Sequence, residues 1–131
     1  MRQLNEAQKQ AVTHDCRTGG PLIILAGPGT GKTHVITHRV AHVIEEQGVD
    51  PAAILAITYT RKAAGELRDR INGIIGPERG ARVNAYTFNG FGQRLMQRFA
   101  TYLGLPGNLS MIDQVQSRRL IQAIILEHDL L

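Results

Sequence analysis

The octapeptide Ala26-Gly-Pro-Gly-Thr-Gly-Lys32-Thr33 lies between a short apolar run, Pro21-Leu-Ile-Ile-Leu25, and a stretch of helical periodicity. It constrains the fold more than any other feature of the chain. A strand that turns through small residues directly into a helix aims consecutive backbone N–H groups, and the positive end of the helix dipole, at one point in space. With a lysine to reach outer phosphates and a hydroxyl for Mg²⁺, the segment predicts a phosphate-binding loop for a nucleoside triphosphate. Ala26 stands where the general pattern has glycine, a small change. The expected contacts are Ala26, Gly27, Pro28, Gly29, Thr30, Gly31, Lys32 and Thr33, with Lys32 and Thr33 catalytic and Thr33 the metal ligand.

The remaining patterns fit an α/β chain. Asn5 and Gln8 form a capping box for a first helix, which must stop around Arg17-Thr-Gly-Gly-Pro21. Residues 22–25 are continuously apolar and predict a strand buried on both faces. Val35, Ile36, Val40, Val43 and Ile44 recur at helical spacing, with Gly48 as a stop. Residues 54–58 predict a second buried strand, followed by a helix whose apolar face is Ala63, Ala64, Leu67, Ile71, Ile74 and Ile75 and which ends at Gly76-Pro77. A third strand is expected over 82–87, with Phe91, Leu95, Phe99 and Tyr102 as the stripe of the next helix. Gly104-Leu-Pro-Gly107 breaks that pattern, and an amphipathic segment runs from Asp113 to Leu131. Strands alternating with helices imply a parallel sheet with right-handed crossovers.

Charge is distributed unevenly. Residues 61–98 carry eight Lys and Arg against three Asp and Glu, so that third of the chain holds more than the whole net charge of +4. Such a concentration suits a polyanion partner or a solvated Arg-rich helix face. One cysteine, Cys16, excludes an internal disulfide and fits a reducing compartment. Met1-Arg-Gln-Leu-Asn-Glu6 has no apolar signal region, and no apolar run is long enough to span a bilayer, so the expected location is the cytoplasm, without a membrane partner.

Ligands on parallel α/β sheets gather at the C-terminal ends of strands. The second strand ends in Thr58-Tyr59-Thr60-Arg61-Lys62 and the third in Thr87-Phe88-Asn89-Gly90. Aromatic rings offer stacking platforms, while Thr, Asn, Arg and Lys hold phosphates, a combination suited to a single strand of nucleic acid. Ordinary core packing is the alternative for Tyr59 and Phe88.

With these segments the chain resembles the N-terminal part of the UvrD/Rep-type superfamily 1 helicases. Leu4-Asn5-Glu-Ala-Gln8-Lys-Gln-Ala11-Val12 is similar to the family's Q motif, and Ala26 to Thr33 to its motif I in the alanine-first form. Ile54-Leu-Ala-Ile-Thr-Tyr-Thr-Arg-Lys-Ala-Ala64 resembles motif Ia, and Tyr86-Thr-Phe-Asn-Gly-Phe91 the Thr-Phe-His segment. The order and spacing match over residues 4–103. The resemblance implies a P-loop NTPase (RecA-like) three-layer fold over residues 1–103, incomplete, and the start of an inserted helical subdomain over 104–131. It implies that Gln8 reads the adenine edge of ATP, that Lys32 neutralises phosphates, and that Thr33 ligates Mg²⁺. It further implies that Tyr59, Thr60, Arg61, Lys62, Thr87, Phe88 and Asn89 face single-stranded DNA.

Four positions depart from the family's pattern, one of them Tyr59 in place of the phenylalanine of motif Ia, which leaves stacking possible. His34 replaces an arginine that packs near the base, which keeps a ring for stacking and gives up a permanent charge. Arg61 replaces an asparagine in motif Ia, adding phosphate attraction, and Asn89 replaces a histidine, removing an ionisable ring.

Other constellations read more plainly. His34, His38 and His42 share one helix face; without a nearby Cys or a suitably spaced carboxylate, a solvated face is expected rather than a zinc site. Asp113 with Gln116 reads as a helix cap rather than a magnesium carboxylate. Cys16 carries no reactive signature.

No apolar run here ends in paired acids of the kind that hold magnesium in the family it resembles, and the resemblance implies that a second motor domain, expected outside these residues, supplies an arginine finger. The expectation is therefore an N-terminal portion of a larger helicase, moving three-prime to five-prime. The chain alone is expected to bind ATP weakly and to hydrolyse it negligibly. Its partners would be single-stranded DNA and the remainder of the helicase chain, with self-association through the apolar face of Leu120, Ile121, Ile124 and Ile125. The alternatives are a P-loop kinase or nucleotide-binding switch without DNA function, for which no acceptor pocket or magnesium carboxylate is found, and a nucleic-acid adaptor that has lost the motor, against which the intact Gly31-Lys32-Thr33 argues.

Overall fold

The fold begins and ends on the same local device. Asn5 accepts the Gln8 N–H while the Gln8 side chain accepts the Asn5 N–H, which starts α1 (Glu6–Thr13). Asp113 and Gln116 repeat this reciprocal box at the start of α6 (Gln114–Glu127). Between them lie α2 (Lys32–Glu45), β1 (Leu55–Thr58), α3 (Arg61–Ile75), the single turn α4 (Pro77–Gly80), β2 (Asn84–Thr87) and α5 (Phe88–Arg98). The computed structural model describes residues 4–128; the first three residues of the chain and the last three of the amphipathic segment expected up to Leu131 lie outside them.

The architecture is α/β with a parallel sheet. β1 and β2 pair in register, Leu55 with Asn84 through Thr58 with Thr87, so both strands end level. α3 is the crossover between them. The core joins Val40, Ala41 and Ile44 of α2 to Leu67, Ile71 and Ile75 of α3 and to Val83, with Ile54, Ala56 and Ile74 packed against it. These positions follow the i, i+3, i+4, i+7 spacing of a core-facing helix stripe. Each large aliphatic buried this way is worth about 1.5–3 kcal/mol.

The structure departs from the sequence patterns in five places. The second strand, expected buried over 54–58, is Leu55–Thr58 with no residue buried and Leu55 exposed, since only two strands pair among the described residues. Residues 22–25 form no strand: Ile23 is 83% and Leu25 91% exposed, and the two-stranded ladder does not reach them. A run apolar on both faces is stable as a strand only between hydrogen-bonded neighbours, and periodicity records the apolar faces but not the pairing. Ile36, expected on the apolar stripe, is exposed, and Thr37 is buried in its place. Burial costs Thr37 little because its hydroxyl donates within its own helix, to the carbonyls of Thr33 at 3.0 Å and His34 at 2.9 Å. β2 starts at Asn84 rather than residue 82 because the backbone leaving α4 still turns, with the Val83 N–H donating to the Gly80 carbonyl. α5 stops at Arg98, so Phe99 lies beyond it and Tyr102, in a 3-10 turn over Thr101–Leu103, is almost fully exposed.

Contacts divide the chain inside α5, into residues 1–91 and 92–131. The first unit holds the core and the sheet. In the second, α6 buries no side chain, and Leu120, Ile121 and Ile124 are exposed.

Candidate functional site

The glycine-rich segment is an ordered loop although its preceding residues form no strand. Gly29 and Gly31 adopt φ of +73° and +90°, conformations that side chains rarely tolerate. The Thr30 hydroxyl donates to the Gly27 carbonyl at 2.8 Å and ties the turn. Gly31 is the N-cap of α2 and has no side chain to cap it, so this helix end is left to an external acceptor. Lys32 folds back over the loop, its Nζ donating to the carbonyls of Ala26 at 3.0 Å and Gly27 at 2.6 Å.

Gly29, Gly31, Lys32, Thr33, His34 and Arg70 line a cavity of about 480 Å³. Two cations and no carboxylate border it, a composition that fits a polyphosphate. Thr33 is exposed at the helix start, where its hydroxyl would be the residue to hold a magnesium ion. Arg70 was not marked by the sequence. It resembles any solvent-facing arginine of an amphipathic helix, and only the packing of α3 on α2 carries it to the loop. Arg70→Ala is expected to weaken ATP binding about fivefold, roughly 1 kcal/mol for an exposed charge contact, without loss of helical circular dichroism. An Arg70→Ala protein that titrates with fluorescent ATP as wild type does would remove Arg70 from the site.

Gln8 reaches the loop from α1. Its Nε2 donates to the Thr30 carbonyl at 3.0 Å while its Oε1 serves the capping box. A carboxamide has two donors and two acceptor lone pairs, so one of each is left for a base edge. A Cβ on Gly31 would stand 3.3 Å from this Nε2, so the glycine also allows the close approach.

His34 packs edge-on against His38, ring centroids 4.2 Å apart. Burial pushes the His38 imidazole below its ordinary range, and the neighbouring His34 adds to the shift. The unfolded chain then binds more protons than the folded one. Stability is expected to fall as pH drops from about 7.5 through the ordinary imidazole value near 6.5, and to level off below the depressed folded value. Urea unfolding at pH 7.5 and 5.5 checks this; His38→Gln should flatten the difference. Among the described residues no three His, Cys, Asp or Glu gather as a metal site.

The ends of β1 and β2 form a second cluster. Tyr59 and Phe88 lie with ring centroids 5.6 Å apart, tilted by 56°, and with Thr87 and Asn89 they line a cavity of about 370 Å³. Tyr59 is 91% exposed and Phe88 58%, so core packing does not account for either. Thr60 Oγ1 accepts the Ala63 N–H as the N-cap of α3, and Thr87 Oγ1 accepts the Gly90 N–H at the start of α5. Thr60, Arg61 and Lys62 do not line the cavity; they run from Tyr59 into the first turn of α3. Cations there oppose the helix dipole, and Lys62 gains only a 3.9 Å contact with Glu66 in return. Local stability does not explain their placement.

A family profile described as UvrD/REP helicase N-terminal domain matches residues 4–130. The chain is 43% identical over 122 residues to the ATP-dependent DNA helicase UvrD1 of Mycobacterium tuberculosis, covering 92% of this chain and 15% of that protein. It is 39% identical to the ATP-dependent DNA helicase PcrA of Leuconostoc citreum, covering 93% and 16%. It is 40% identical to that of Bacillus subtilis, covering 97% and 17%. The chain thus spans about one sixth of the length of these relatives. Among the described residues no helix is long and apolar enough to cross a membrane.

Proposed function

The chain belongs to the UvrD/REP helicase N-terminal domain family, and from that premise we propose that it is the ATP-binding and single-stranded-DNA-contacting portion of a DNA helicase motor. The observation that carries this reading is the pairing of two sites within one unit: a carboxylate-free, cationic loop cavity, and an exposed aromatic pair at the level ends of two parallel strands.

In this reading the phosphates of ATP lie on the turn from Ala26 to Gly31, with Lys32 and Arg70 against their charge and Thr33 on Mg²⁺. Bound Mg²⁺ supplies charge neutralisation at the outer phosphates. Gln8 reads the base edge, and His34 flanks the base or ribose. Tyr59 and Phe88 stack bases, while Thr60, Arg61, Lys62, Thr87 and Asn89 take the backbone and sugar edges.

The fold is then RecA-like over residues 1–103, with 104–131 opening an inserted helical subdomain. Residues 22–25 and the apolar face of α6 are covered by the remainder of the helicase chain or, for α6, by self-association. Translocation runs three-prime to five-prime, in the cytoplasm, driven by closure of two motor domains around ATP. None of the residues lining the loop cavity can act as the carboxylate that orients an attacking water, so hydrolysis by this chain alone is negligible.

The test measures both ligands on one preparation. The chain is expected to bind ATP weakly, to bind a thymidine oligonucleotide with an affinity that falls steeply with salt, and to show no turnover. ATP binding without any oligonucleotide binding at low salt favours the kinase or nucleotide-switch reading. Robust DNA-independent hydrolysis abolished by Lys32→Ala would overturn the incomplete-site reading.

A further inference from the structure

α1 carries Gln8 to the phosphate loop, yet little apolar packing holds it there. It is eight residues long, Val12 is its only buried residue, and an isolated helix of that length is unstable in water. Its last turn contains no basic residue to meet the exposed carbonyls and the negative dipole end. The missing cation comes from α2. Arg39 Nη1 donates to the carbonyls of Ala11 at 2.9 Å, His14 at 2.9 Å and, more weakly, Val12 at 3.4 Å. Gln47 supports the same corner through the His14 carbonyl and the Cys16 N–H.

α1 is therefore held at two ends by two elements of the same site. At its C-terminal end the clamp is Arg39, two turns beyond Lys32 on the helix that the phosphate loop opens. At its N-terminal end the contact is Gln8 to the Thr30 carbonyl. We propose that Arg39 is a positioning residue for nucleotide recognition: by capping α1 from α2 it fixes the place of Gln8 relative to the loop. The inference rests on the nucleotide reading above and assigns Arg39 no contact with the nucleotide itself.

The experiment compares ATP with ITP, which fills the same loop but lacks the exocyclic amino group that a carboxamide oxygen accepts from. Affinities are measured by displacement of a fluorescent ATP from the wild-type chain, Gln8→Ala, Arg39→Ala, Arg39→Gln and Arg39→Lys. Wild type is expected to favour ATP by roughly tenfold, as a site that hydrogen-bonds one edge discriminates against its loss. Gln8→Ala and Arg39→Ala should both bring the ratio to within about twofold of one, and Arg39→Lys, which can still donate to the carbonyls, should recover most of it.

A purely structural role would lower the melting temperature of Arg39→Ala and leave the ATP-to-ITP ratio intact, and that result overturns the proposal. If Arg39→Ala loses its helical signal, Arg39→Gln decides: a ratio near one supports the clamp, and a wild-type ratio overturns it. A ratio lost in Gln8→Ala but kept in the Arg39 variants sinks this inference alone. A wild-type chain that binds neither nucleotide sinks the nucleotide reading as well.

Discussion

Lys32→Ala is expected to reduce ATP affinity by about 100-fold or more, below detection in most equilibrium assays. Lys32 lines the loop cavity, and its ammonium is shared between the Ala26 and Gly27 carbonyls. Phosphate oxygens offer it full negative charge, and each charge-assisted bond is worth about 1.5–3 kcal/mol. The substitution also leaves two loop carbonyls without a donor; they are exposed and pass to water at little cost. Fold stability should therefore be unchanged, which separates this variant from a core defect. Lys32→Arg makes a useful companion, since it keeps the charge but carries a planar fork into a turn shaped for a point charge. Titration with fluorescent ATP checks the prediction; a Lys32→Ala affinity within threefold of wild type would falsify the phosphate assignment.

The second large effect is expected at the strand ends. Tyr59→Ala should weaken binding of a thymidine oligonucleotide by roughly 5- to 150-fold, the range set by about 1–3 kcal/mol for one stacked base. Lys62→Ala should cost less and reduce the salt slope by about one, because it removes a phosphate contact and not a platform. The Tyr59 and Phe88 rings touch, so their effects should not add: the Tyr59→Ala, Phe88→Ala double variant should lose less than the product of the single losses. Fluorescence anisotropy measures wild type and the four variants at low salt, and wild type and Lys62→Ala across a salt series. Unchanged affinity in both Tyr59→Ala and Lys62→Ala would remove this surface as the nucleic-acid track.

Local chemistry was legible in the chain, and long-range packing much less so. The capping boxes at Asn5 and Asp113 appear as their residue types predict, since a cap is decided by neighbours three residues apart. The α3 stripe likewise follows from spacing alone. The run over residues 22–25 misled because apolar continuity describes a strand's faces and leaves its hydrogen-bonding neighbours unspecified. Thr37 took the place of Ile36 in the core because a hydroxyl can satisfy itself on its own helix, an option that hydropathy does not register.

Within the candidate loop, the turn glycines Gly29 and Gly31 and the helix start at Lys32 could be read from the sequence because they are contiguous. Arg70 and Arg39 could not. Their positions depend on how α3 and α1 lie against α2, and each is an ordinary arginine until that packing is known.

The threonines that close both strand ends have a consequence for how the aromatic pair behaves. Thr60 and Thr87 each fasten a following helix by the same oxygen-to-amide bond, so Tyr59 and Phe88 sit beside backbone that the fold itself ties down. A flexible loop offering the same rings would lose conformational entropy on every encounter, about 1–2 kcal/mol for each backbone residue it had to freeze. Under the proposed function, a surface that takes hold of a strand and releases it again gains from such a mount. Its grip can be moderate in strength and still form quickly, because the rings need only be met, not assembled.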